Sequence, residues 1–109
     1  MLELSPKQIT VLERCVAAGF TIVAFPLYGS AVGVKKGNCA ALLDTRSADR
    51  MTLLGEACYL IDGNLSVRVL RKGVDCFLWK KKQLAATSER LLELSQFRRE
   101  LDSIILGGD

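Results

Sequence analysis

The stretch from Asp62 to Lys82, DGNLSVRVLRKGVDCFLWKKK, constrains this chain most: two short runs rich in β-branched and aromatic residues meet at Lys72-Gly73. That spacing leaves no room for helices and suits a β-hairpin. Turn chemistry then decides which side chains share a face. A two-residue type I′ loop would hold Lys72 at φ > 0, a region that Asn and Asp tolerate and Lys does not favour. The expected loop therefore has three residues, with Arg71 and Lys72 central and Gly73 left-handed, so that Val74 lies opposite Leu70. In that register Leu65, Val67 and Val69 share a face with Phe77 and Trp79, and Trp79 reads as a residue of the core or its edge. The other face, Ser66, Arg68, Leu70, Val74, Cys76 and Leu78, is mixed, and a helix or a second subunit is expected to cover part of it.

At 109 residues, half of them apolar, the chain is long enough to close one hydrophobic core, and residues 1–109 are read as a single domain. The formal charge of +3 is mild but unevenly placed, with six basic residues against the single Asp75 between Arg68 and Lys82. Histidine is absent, which removes the commonest general base, the Ser-His and Cys-His pairs and the commonest metal ligand. Four cysteines, Cys15, Cys39, Cys58 and Cys76, lie 24, 19 and 18 residues apart. No Cys-x-x-Cys occurs, so zinc-ribbon and thioredoxin-type spacings fail, and the thiols read as free packing residues in a reducing, cytoplasmic setting. A secretory leader is not expected, because Glu3, Pro6 and Lys7 interrupt the N-terminus. Cys15 to Val34 is uncharged over 20 residues, but Gly19, Thr21, Pro26, Tyr28, Gly29, Ser30 and Gly33 break it into helix end, strand, turn and strand, and it reads as buried sheet.

Taken in order, Ser5-Pro6-Lys7-Gln8 predicts a capped helix start, with Ile9, Leu12, Val16 and nearby Cys15 as its apolar side and Gly19 as its stop. Phe20 to Phe25 reads as a strand ended by Pro26, Gly29 to Lys36 as a second, and Asn38 to Asp44 as a third that carries Cys39, Ala41 and Leu43 on one side. Thr45 to Arg50 is a polar surface loop. Met51 to Ile61 is compatible with a helix, but Gly55 and the Asp62-Gly63-Asn64 turn favour a strand. After the lysines, Gln83 to Ala86 leads to a helix capped by Thr87 or Ser88. Its apolar stripe is Leu94, Phe97, Leu101 and Ile104, and Gly107-Gly108 ends it.

The expected architecture is thus α+β: one mostly antiparallel sheet of about five or six strands, with the N-terminal and C-terminal helices packed on one face. Glu56, flanked by apolar residues, is expected at an edge or paired with a strand arginine such as Arg68. The glycines at 29, 33 and 37 lack the Lys-Ser/Thr that a phosphate loop requires. One constellation stands out, a binding patch of Arg68, Arg71, Lys72, Trp79, Lys80, Lys81 and Lys82. The leading reading is a non-enzymatic module that binds a protein partner or small ligand through its sheet, without cofactor, metal or membrane, and pairs as a homodimer. Its alternatives are single-strand nucleic-acid binding through the basic hairpin end and a cysteine-based redox or metal role.

Overall fold

The computed structural model describes residues 4–23, 31–47 and 49–106. The fold opens with helix α1 (Pro6–Ala17), whose start is a complete capping box. Ser5 Oγ accepts the Gln8 backbone N–H at 3.2 Å, and Gln8 Oε1 accepts the Ser5 N–H at 2.8 Å. The same glutamine reaches inward. Its amide nitrogen donates to the carbonyls of Thr45 at 3.0 Å and Ser47 at 2.7 Å, and the residue is 1% exposed. One side chain therefore caps the helix and fastens a loop some forty positions away in sequence.

This anchoring turns α1 relative to the expected orientation. Gln8 and Cys15 are its buried residues, Val11 and Leu12 pack against the core, and Ile9 and Val16 are left 45% and 55% exposed. The physical reason is an asymmetry of costs. Withdrawing the amide would leave two carbonyls unpaired at about 1–3 kcal/mol each where they are buried, whereas exposing Ile9 and Val16 forgoes only part of their transfer energy. Gly19 ends the helix at φ 96°, and the Phe20 N–H donates back to the Cys15 carbonyl at 2.9 Å.

Among the described residues nine strands follow, all paired antiparallel. The larger sheet holds β1 (Thr21–Val23), β2 (Ala31–Lys36), β3 (Cys39–Asp44), β5 (Cys58–Ile61) and β6 (Asn64–Leu65) in that order, with β4 (Thr52–Leu53) also pairing β3. The expected strand 20–25 is present as β1, and its continuation, with the turn at Pro26, lies outside the described residues. Lys36 pairs with Cys39 across a two-residue loop whose first member, Gly37, takes φ 61°, so that Val34 faces Ala41 and Val32 faces Leu43. Cys39 in turn pairs with Tyr59. These alternate residues form one apolar face, and Cys15, Phe20, Phe97 and Leu101 complete the core against it. Lys36 ends that row. Its ammonium lies 5.3 Å from the Phe20 ring, donates to the Ala18 carbonyl at 2.8 Å and pairs with Glu100 at 2.9 Å, which ties the sheet to both helices.

Met51 to Ile61 is not helical, but where one strand was expected it holds two, β4 and β5, separated by a bend at Gly55, which takes φ 76°. Asp62 and Gly63, at φ 51° and 79°, make the two-residue turn into β6. The chain then leaves the larger sheet at Ser66, 3% exposed, whose hydroxyl donates to the Tyr59 carbonyl. Beyond it β7 (Val67–Arg71), β8 (Val74–Trp79) and β9 (Lys82–Ala85) form a second sheet of three strands. The last element is α2 (Ser88–Leu106), with Thr87 Oγ1 accepting the Arg90 N–H at 3.2 Å and its ring of Phe97 5.4 Å from Phe20. The α+β class and the terminal helices are as expected. The strands divide between sheets of six and three, where one sheet was expected. The expected glycine stop of α2 lies outside the described residues. Among the described residues no helix is long and apolar enough to cross a membrane.

The hairpin register corrects the sequence reading. Arg71 pairs with Val74, so the loop is Lys72-Gly73 alone, at φ 53° and 79°. Arg68 consequently lies opposite Phe77, and Val67 and Val69 fall on the face away from Phe77 and Trp79. A type I′ loop matches the twist of the two strands, and that gain outweighs about 1–2 kcal/mol for one left-handed Lys. The valines could not hold the expected register, because β7 is the exposed strand of its sheet and its hydrophobic pattern is not enforced by burial.

Three outcomes follow from this framework. Replacement Gln8→Ala, which loses the cap and strands the two carbonyls, should lower unfolding free energy by on the order of 2–4 kcal/mol in denaturant titration. Gln8→Glu should also destabilise at neutral pH, since a carboxylate cannot donate to carbonyls, with partial recovery as the new carboxyl takes a proton. At the end of β3 the Arg46 side chain grips Asp44 at 2.6 Å and its backbone N–H adds a bond at 2.9 Å, holding the carboxyl down at about 2. A depressed carboxyl stabilises the fold fully above its ordinary value and loses that contribution as pH falls toward about 2. Arg46→Met should therefore flatten the acid limb of the stability curve between about 4 and 2, read by thermal melting at stepped pH.

Candidate functional site

The three-stranded sheet carries every residue of the expected patch, and its registers decide what each can do. Arg68 opposite Phe77, Phe77 opposite Leu84, and Trp79 opposite Lys82 define one face. This face turns toward the core: Phe77 is 1% exposed, its ring stacks on Tyr59 at 5.1 Å and 15°, and Trp79 and Leu84 pack against the same cluster. The inward placement of the two aromatics agrees with the sequence reading, although their strand partners differ. The other face carries Val67, Val69 and Arg71, then Val74, Cys76 and Leu78, then Gln83 and Ala85. Here Val67 and Val74 are each 59% exposed, and Leu70, which belongs to the core-side row, overhangs the edge at 71% exposure.

The seven patch residues do not form one cluster. Arg71 and Lys72 sit at the β7–β8 turn, whereas Lys80 and Lys81 form the β8–β9 turn with Trp79 and Lys82 beside it. The intervening strand separates these ends by roughly 17 Å. Several cations are already engaged. Arg68 pairs with Asp75 at 2.8 Å and holds its carboxyl below the usual range; Lys82 pairs with Asp62. The Lys80 ammonium lies 5.0 Å from the centre of the Trp79 ring. Arg71 reaches only Gln83 Oε1, at 3.4 Å. Arg71, Lys72 and Lys81 make no ion pair among the described residues.

Backbone geometry adds a feature the side chains alone do not show. A pair that closes a two-residue hairpin exchanges both hydrogen bonds, so Arg71, Val69 and Val67 bond to β8, and the N–H and C=O groups of Arg68 and Leu70 point the other way. On the far side of β8 the same alternation holds, with the Ala86 N–H donating to the Asp75 carbonyl at 3.2 Å. Among the described residues no strand pairs with β7 on its outer side. The outward groups are an unfilled half-ladder.

Beside the start of β7 lie two adjoining hollows of about 500 and 340 Å³, which share Glu56, Cys58, Ser66 and Val67. They are open and mainly apolar. Glu56 is 92% exposed and lies 3.6 Å from Arg98, so its partner is a helix arginine, and the arginine proposed from sequence, Arg68, pairs with Asp75. The thiols stand apart in character from a nucleophile. Burial pushes Cys15 up, burial and then Glu93 push Cys39 up to about 12, and burial and then Glu56 push Cys58 up. No group of three or more Cys, Asp or Glu among the described residues is placed to hold a metal ion. Burial, then the bond its hydroxyl donates to Glu93 at 3.1 Å, raises Tyr59 as well; the same carboxylate accepts from the Asn38 backbone at 3.2 Å.

Sequence reasoning missed β9, which carries one patch residue, Lys82, into a third strand. The alternation of Lys82 and Leu84 against Gln83 and Ala85 could have shown it. The turn before it, Lys80-Lys81, contains none of the usual turn residues, yet Lys80 adopts φ 54°. In comparisons with protein-family models, curated proteins and solved structures, the chain matches none.

Proposed function

We propose that this chain is a non-enzymatic, cytoplasmic protein-binding module that receives its partner on the three-stranded sheet. The observation that carries the reading is the outer side of β7, where among the described residues no strand pairs with the outward backbone groups of two residues, beside Val67, Leu70 and Val74 at 59%, 71% and 59% exposure. Apolar side chains flanking an open strand edge are the surface on which β-strand addition works. The hollows beside it are open rather than enclosed, which suits a partner side chain better than a free small ligand.

The nucleic-acid reading is weaker on geometry. Its aromatic, Trp79, packs against the core and has a lysine over its ring, its cations are split between two ends of a strand, and two of them are committed to Asp75 and Asp62. Stacking needs an open ring face. Thiol chemistry is weaker still, because three of the four cysteines are shifted away from the thiolate. Pairing with a second copy is assigned to a different surface, the outward stripe of α1, where Ile9, Leu12, Glu13 and Val16 line a shallow apolar hollow of about 290 Å³.

A photo-crosslinker tests the reading directly. With p-benzoylphenylalanine in place of Val74, irradiation in the producing cells should yield adducts that protease removes and nuclease leaves intact. The same group in place of Leu92, 58% exposed on α2, should yield few. Adducts of equal abundance from both positions, or nuclease-sensitive adducts from position 74, overturn the proposal. A monomer mass in sedimentation equilibrium removes the α1 pairing and leaves the rest standing.

A further inference from the structure

The same open edge specifies the chemistry of what it binds, and this step rests on the protein-binding reading. We infer that β7 takes, as a fourth strand, an extended segment of another protein that carries two acidic residues three positions apart among apolar ones. Three features converge on it. The outward N–H and C=O groups of Arg68 and Leu70 fix the spacing, since a partner strand must place a hydrogen-bonding residue opposite each. The row of side chains along the edge, Val67, Arg68, Val69, Leu70, Arg71, then gives the complementary pattern. Read antiparallel from the residue facing Arg71, the partner runs acidic, apolar, apolar, acidic, apolar.

Charge favours an acidic partner over a second copy at this edge. β7 carries Arg68 and Arg71 and no acid, and Lys72 follows immediately, so no register of β7 against itself sets a carboxylate of β7 opposite either arginine, and registers that place Arg68 opposite Arg68 or Lys72 oppose like charges. Arg71 and Lys72 make no ion pair among the described residues, and they supply the attraction that an acidic strand would satisfy. Arg68 is already held by Asp75 at 2.8 Å and is 52% exposed, which leaves its outer side available to a second carboxylate. The hollow of about 500 Å³ that Arg68 borders with Phe77 and Leu94 lies next to the point where the strand's last residues would pass.

The probe is a capped peptide, Thr-Glu-Val-Val-Glu-Val-Thr, titrated into the intact protein and followed by amide chemical shifts. Shifts should concentrate on Arg68 and Leu70. Replacing both glutamates by lysine should weaken binding at least about tenfold, the loss of one charge-assisted contact or more. Methylating the backbone nitrogen of the first valine, which faces Leu70, should cost at least about tenfold, because its N–H is the donor to the Leu70 carbonyl. Methylating the second valine, whose N–H points away from β7, should leave affinity within about twofold, the period-two signature of a strand ladder. Equal binding of the lysine peptide, or equal effects of the two methylations, overturns the inference. So does absence of peptide binding, and the outcome of the Val74 crosslink then separates the cases: protein adducts still formed there leave the binding module intact with a different partner chemistry. Shifts of the same amides by oligothymidylate alone, with nuclease-sensitive adducts, overturn both readings.

Discussion

The inward face of Phe77 governs this molecule. Stacked on Tyr59 and fully enclosed, that ring decides which side of β8 belongs to the core, and the two-residue side-chain period then dictates the rest of the small sheet. Leu84 must join it from β9 and Arg68 must lie opposite it on β7. Val67 and Val74 lie on the opposite face, exposed at its two ends, while Cys76 on the same face is 1% exposed. A candidate surface on this fold is therefore a by-product of how its core closes, and the two cannot be altered independently.

A comparable coupling operates at the N-terminal end. Gln8 joins helix capping to loop anchoring, so the rotation of α1 follows from a polar side chain rather than from the apolar stripe that periodicity picks out. The sheet's own contribution there is Lys36, a charged residue on an apolar face. It is tolerated because its ammonium finds a carbonyl, a carboxylate and a ring at once, while its aliphatic stem covers the core edge. Polar groups with two or more partners set the orientation of both helices.

The parts of the fold that were legible in the sequence are those enforced by local chemistry. The capping box at Ser5 and Gln8, the Asp62-Gly63 turn, the shared core face of Cys39, Ala41 and Leu43, and the stripe through Phe97 and Leu101 each rest on residues whose preferences admit one reading. Failures occurred where the deciding energy lies elsewhere in the chain. Lys72 and Lys80 take left-handed conformations that their own preference opposes, because the strands they join impose a twist. The face of α1 was misjudged because the carbonyls that recruit Gln8 belong to a loop with no signature of its own. For the candidate surface, the sequence located the right segment and assembled its cations into one patch. Only the lengths and registers of β8 and β9 reveal that these charges stand at two ends of a ribbon.

That separation bears on how an approaching chain would be oriented. Like charges at both poles of a short ribbon attract an anionic segment without favouring either of its two directions, since the long-range potential is nearly symmetric along the strand axis. Capture and polarity are then decided at different stages. Diffusive encounter is governed by the field, and the sense in which the incoming chain lies down is settled only when short-range pairing begins. Selectivity of such a surface would accordingly show itself in dissociation rather than in the speed of arrival.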